Sequence, residues 1–233
     1  CPAVDPGGDY LVKISGLRLT NARRNVADSC GGAIYSEHSL SLDSMQIENS
    51  MARCGAGTQF AIQYPGQTLT IANSRYLDNT ATEVVPPLTT FDNVGGGVNW
   101  SERCSNALDT PYTKPVTVNI TGSEFRGNSA QPLTNRDGRG GALRSWSLAD
   151  VHIADTAIVD NHVIAPNPPV PTFSYHGGGF DGTVRSLVIE RTEFSDNTAF
   201  DATGSDQTRS GAMHLHNTAV DRQTAADTMR VES

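Results

Sequence analysis

Lysine is almost missing from this chain. Lys13 and Lys114 are its only two, and arginine carries nearly all of the positive charge. With a net charge of −8 there is no basic stripe to neutralise phosphates, so no nucleic-acid partner is expected. The same balance disfavours attachment to an anionic membrane face. No apolar run approaches a membrane span, so this segment is not expected to insert. A helical period of useful length is also lacking. Short strand-like runs separated by Gly, Asn and Asp exclude a domain of alternating strands and helices. The chain contains no phosphate loop, nucleophile elbow or dinucleotide fingerprint. No adjacent Asp-Asp pair exists, and Lys is too scarce to supply a base, so sugar-cleaving chemistry finds little support.

What the chain does contain is one phrase, repeated. Glycine-led openings recur at Gly31-Gly32-Ala33-Ile34, Gly96-Gly97-Val98, Gly140-Gly141-Ala142-Leu143, Gly178-Gly179-Phe180 and Gly211-Ala212-Met213. Four copies of Ser/Thr-x-apolar-x-x-Asn-x-apolar alternate with them. The copies run from Ser74 to Ala81, Ser123 to Ala130, Thr156 to Val163 and Thr192 to Ala199. Such periods mark stacked architectures. The Asn slot falls at Asn79, Asn128, Asn161 and Asn197, with Ser50 there in an earlier copy. A still earlier partial copy, Tyr10 to Ala22, is expected to place Thr20 in the slot. Ten and eight positions before the slot stand the pairs Leu69/Ile71, Val118/Ile120, Val151/Ile153 and Leu187/Ile189, the alternation of a strand with one buried face. Stacked Asn side chains can hydrogen-bond along a ladder while capping turns, so the four are expected to be structural. The expected fold is therefore all-β: a right-handed parallel β-helix of about six coils, one domain over residues 1–233. Met229-Arg230-Val231 repeats the strand but stops short of its Asn, so the chain reads as part of a longer solenoid.

Phe125-Arg126-Gly127-Asn128 and Phe194-Ser195-Asp196-Asn197 match an FxxN element. Gly31-Gly32-Ala33-Ile34 and Gly140-Gly141-Ala142-Leu143 match a GGA(I/L/V) element. In both elements the chain resembles polymorphic outer-membrane-protein repeats and, more broadly, the β-helical passengers of bacterial surface proteins. That resemblance covers nearly the whole chain and implies a secreted or outer-membrane-surface location. It also implies a role in adhesion or as a scaffold, with a host or neighbouring-cell protein or glycan as partner. A polysaccharide lyase or hydrolase, or a plain spacer in a larger polypeptide, are the alternatives.

Function is expected in the connections that break the period: 82–94, 131–139, 164–176 and 200–210 from one corner, and 101–115 from another. The candidate binding residues on this loop wall are Phe91, Asp92, Arg136, Asp137, Arg139, Phe173, Tyr175 and Phe200. No catalytic residue is assigned. Cys30 and Cys54 each precede an opening glycine, which would set them one rung apart, roughly 4.8 Å, within reach of a disulfide. The pairing of Cys1 and Cys104 does not follow from the sequence. Asp78, Asp160 and Asp196 stand beside the Asn slot and would form an outer acidic ladder able to hold Ca²⁺, although no cofactor is required. His214 and His216 share a strand face, with His152 and His176 in earlier coils, but no Cys or acid near in sequence completes a zinc set.

Overall fold

A computed structural model describes residues 8–24, 30–82, 93–102, 114–132, 137–165, 175–200, 208–216 and 228–232. Among these residues there is no helix; every paired strand runs parallel to its neighbour, in five sheets. Sheet 1 has seven strands: Val12–Ser15, Leu40–Asp43, Thr68–Ala72, Val116–Thr121, Ala149–Ala154, Ser186–Glu190 and Thr228–Glu232. Sheet 2 holds the short strands that follow them, such as Arg75–Leu77 and Glu124–Arg126. Sheet 3 includes Thr80–Thr82, Ser129–Gln131 and His162–Ile164, and sheet 4 includes Gly138–Arg139 and Tyr175–His176. Sheet 5 comprises Ile34–Ser36, Thr58–Ile62, Val98–Glu102, Leu143–Trp146, Phe180–Thr183 and Met213–His216. The chain visits sheets 5, 1, 2, 3 and 4 in turn and then begins again, each strand pairing with its equivalent in the next pass. This all-β, parallel-strand order fits a solenoid.

Equivalent side chains stack as the repeat requires. Leu40, Leu69, Val118, Val151 and Leu187 form one buried column; Leu42, Ile71, Ile120, Ile153 and Ile189 form the next. Each such side chain contributes roughly 1.5–3 kcal/mol by leaving water. Across the core, sheet 5 supplies Phe60, Val98, Trp100, Leu143 and Phe180. Sheet 2 adds Tyr76 on Phe125, rings 4.9 Å apart and nearly parallel.

Three turn columns bend each pass, and all three use the left-handed region. They are Ser44, Asn73, Gly122, Asp155 and Arg191; Asn49, Asp78, Gly127, Asp160 and Asp196; and Gly31, Gly55, Gly95, Gly140, Gly177 and Ser210. Asn, Asp and Gly reach that region at least cost, which gives Asp78, Asp160 and Asp196 a conformational reason to recur. The glycine after the third turn answers to space instead. A Cβ on Gly141 would stand 2.4 Å from the Gly178 carbonyl oxygen and 2.6 Å from that of His162.

Two side-chain ladders lock these corners. Asn79 Nδ2 donates to Asn128 Oδ1 at 2.9 Å, Asn128 to Asn161 at 3.0 Å, and Asn161 to Asn197 at 2.9 Å. Each Nδ2 also donates to a carbonyl one pass away: Ile47, Tyr76, Phe125 and Ile158 in order. The same Oδ1 atoms accept from the backbone N–H groups of Ser50, Asn79, Asn128 and Asn161. Five positions earlier, Ser74, Ser123 and Thr156 accept from the backbone N–H of Met45, Ser74 and Ser123.

Two expectations change. Thr20 pairs with Glu48, and Leu19 with Ile47, so Ala22 rather than Thr20 occupies the slot in the first pass. A single Thr match had outweighed the apolar register. Sheet 1 has seven strands because Thr228–Glu232 begins another pass, in keeping with the strand repeat read at Met229-Arg230-Val231. Finally, the long connections do not run as loops to the glycines. Their last residues, among them Gly138–Arg139 and Tyr175–His176, form sheet 4.

Candidate functional site

The opening glycines fix the phase of sheet 5. Two residues past the Gly-small corner the chain alternates, so Val98, Leu143 and Phe180 point into the core and the next residue points out. The outward column reads Tyr35, Gln59, Asn99, Arg144, Asp181 and His214 in register. From Gln59 to Asp181 it is buried, though wholly polar. Buried polar groups are generally paired, and side-chain amides pair along this column, although Asn99 Oδ1 itself accepts no hydrogen bond among the described residues. Asn99 Nδ2 donates to Gln59 Oε1 at 2.7 Å, and Gln59 Nε2 donates to Ser101 Oγ at 3.1 Å.

Charge concentrates in the later passes. Arg144 Nε lies 3.1 Å from Asp181 Oδ2, with side chains 2% and 0% exposed. On the other carboxylate oxygen, His214 Nδ1 donates to Oδ1 at 2.9 Å. His176 arrives from sheet 4, its Nδ1 4.0 Å from the same Oδ1 and its ring 4.2 Å from that of His214. Trp146, half-buried, carries the Arg144 guanidinium 4.5 Å above its ring and that of Arg139 at 5.8 Å. Arg139 is ion-paired with Asp137. An indole with stacked guanidiniums beside a carboxylate is an amphipathic surface suited to protein or sugar.

Of the candidates on the loop wall, Asp137, Arg139 and Tyr175 fall among the described residues with their side chains. Asp137 and Arg139 lie at this face. Tyr175 does not serve as an exposed contact: it is fully buried with Ala81, Ala130 and Val163, because sheet 4 turns it inward. Phe91, Asp92, Arg136 and Phe173 lie outside the described residues, and Phe200 is described only in its backbone, paired with Ile164. Cys30 and Cys54 are joined as a disulfide, their Cα atoms 4.5 Å apart and bridged in parallel register. Asn99, in an Asn-Trp-Ser glycosylation pattern, is buried in the polar column.

A second polar surface lies at the junction of sheets 1 and 2. It is an open groove lined by Asn73, Arg75, Glu124, Asp155, Arg191 and Glu193. Arg75 and Arg126 each donate to Glu124 at 2.8 Å, and Arg191 binds Asp155 through two nitrogens. These hydrogen bonds hold both carboxyls below their usual range. Arg185 does the same to Asp150.

Among the described residues, one set of three metal-ligating side chains converges: His176, Asp181 and His214, with ligand atoms within 4.8 Å of one another. Sequence reading had His176 and His214 but saw no acid to join them. The signal was available: Asp181 and His214 occupy the same offset from successive opening glycines. No family model, curated protein or solved structure matches this chain.

Proposed function

We propose that the chain is a right-handed parallel β-helix of the surface-passenger kind. In this reading it is a secreted or surface-displayed, non-enzymatic module in adhesion or scaffolding. It offers the outer face of sheet 5 to a protein or glycan of a host or neighbouring cell. The observation that carries this reading is Trp146 with Arg139 and Asp137, set on a rigid stack of parallel strands. The Cys30–Cys54 bridge fits an oxidising compartment. Resemblance to polymorphic outer-membrane-protein repeats rests on the glycine and FxxN elements, which are here the corners and the Asn ladder.

One observation supports the alternative, a polysaccharide-acting enzyme: Arg144, Asp181 and two imidazoles meet beneath the same face.

The test is a glycan and cell-surface binding screen run beside an assay for released reducing or unsaturated sugar ends. Saturable binding lost in Trp146→Ala, without product, is expected. Product that disappears in Asp181→Asn would establish the enzyme instead. Neither binding nor product would leave the spacer.

A further inference from the structure

We propose that His176, Asp181 and His214 form a binding site for a divalent transition-metal ion of the Zn²⁺ type. The three residues come from adjacent strands: His176 from sheet 4, Asp181 and His214 from the same register position of successive sheet 5 strands. Four-coordinate zinc holds its ligands at about 2.0–2.2 Å, which places ligand atoms roughly 3.3 Å apart. The spacings here bracket that value, at 2.9 Å from His214 Nδ1 to Asp181 Oδ1 and 4.0 Å from His176 Nδ1 to the same oxygen. All three ligand atoms lie within 4.8 Å of one another, so closing the set takes side-chain shifts of about 1 Å on strands anchored by backbone ladders.

The chemistry of the donors selects the ion. Two imidazole nitrogens and one carboxylate oxygen suit zinc, cobalt or nickel, whereas Ca²⁺ takes six to eight oxygens. Arg144 occupies Asp181 Oδ2 and so leaves Oδ1 as the coordinating atom, a supporting contact typical of metal sites. On binding, the ion takes the His214 Nδ1 lone pair in place of the proton shared with Oδ1. A neutral ring then carries its one proton on Nε2, whereas an imidazolium releases its Nδ1 proton to solvent. Affinity must therefore fall as pH is lowered, because protons compete with the ion for the ligand atoms. Trp146 and its arginines stand beside this site, yet the metal proposal is independent of any ligand on that face.

The experiment uses the full chain, stripped with a chelator and titrated calorimetrically with Zn²⁺ and separately with Ca²⁺. Co²⁺ serves as a spectroscopic probe. The expected results are one Zn²⁺ per chain, much weaker Ca²⁺ binding, and visible Co²⁺ bands. His176→Gln and His214→Gln should each weaken Zn²⁺ binding ~10-fold or more with an unchanged far-ultraviolet circular dichroism spectrum. No saturable Zn²⁺ binding overturns the proposal, as does unchanged binding in both variants or Ca²⁺ binding of equal strength. If a variant loses its fold, the unaltered chain decides: Co²⁺ without visible bands of low-symmetry coordination overturns the assignment.

Discussion

Asn128 offers the sharpest test of the stack, because its side chain alone makes four hydrogen bonds. It donates to the Tyr76 carbonyl and to Asn161 Oδ1, and it accepts from both the backbone and the side-chain amide of Asn79. Asn128→Ala deletes all four at a position with no solvent exposure. A neutral hydrogen bond is worth about 1 kcal/mol net, and a buried group left without its partner costs about 1–3 kcal/mol. The Asn79 N–H and the Tyr76 carbonyl lose theirs, so a loss of about 3–5 kcal/mol is expected. That is a large share of a typical folding free energy of about 5–15 kcal/mol. Urea unfolding followed by circular dichroism measures the total, and hydrogen exchange at the Asn79 amide reads the local event. Asn73→Ala sets the scale: Asn73 is exposed, makes one side-chain bond, to Asp43, and holds a left-handed turn at φ +47°, so about 1–2 kcal/mol is expected, mostly from backbone strain. A loss below about 1 kcal/mol in Asn128→Ala, with the Asn79 amide still protected, would refute the ladder as a source of stability.

Gly141→Ala should destabilise by about 1–3 kcal/mol or more, since the new methyl meets two backbone oxygens that belong to neighbouring strands. Gly66→Ala, where φ is +83° but space is open, should cost only about 1 kcal/mol; thermal melts of the two variants compare crowding with backbone strain directly. Asp150 is held below its ordinary value of 3.8 chiefly by hydrogen bonds from Arg185. Because its pKa is lowered by folding, the stabilisation is complete above the unfolded value and is lost as pH falls through the folded one. Stability measured from neutral pH downward should therefore fall below about pH 4. Arg185→Ala should flatten that acid limb and raise the Asp150 titration midpoint observed by nuclear magnetic resonance.

The parts of this fold that showed in the sequence are those where one side chain has a single solution to a repeated geometric problem. Asn in the slot is one, since only an amide both donates up the ladder and accepts from the turn. Glycine just after the third corner is another, because at Gly32, Gly96, Gly141 and Gly178 a Cβ would meet the backbone of another pass. The outward column of sheet 5 was invisible for the opposite reason. Tyr35, Gln59, Asn99, Arg144, Asp181 and His214 share a position but no chemistry, so only their constant offset from the glycines connects them. Tyr175 misled because an aromatic between proline-rich and glycine-rich stretches reads as a loop, whereas two residues of strand pairing suffice to turn it inward.

Between successive ladder asparagines the chain spends 49, 33 and 36 residues, yet each contact across the gap is the same. Spacing along the axis is thus indifferent to how much polypeptide leaves and returns between two rungs. Gene duplication of one pass would lengthen the rod by a single increment of about 4.8 Å. Altering an excursion would change what is displayed at a given height without moving anything above or below it. Reach and display can then evolve as separate variables, each under its own selection.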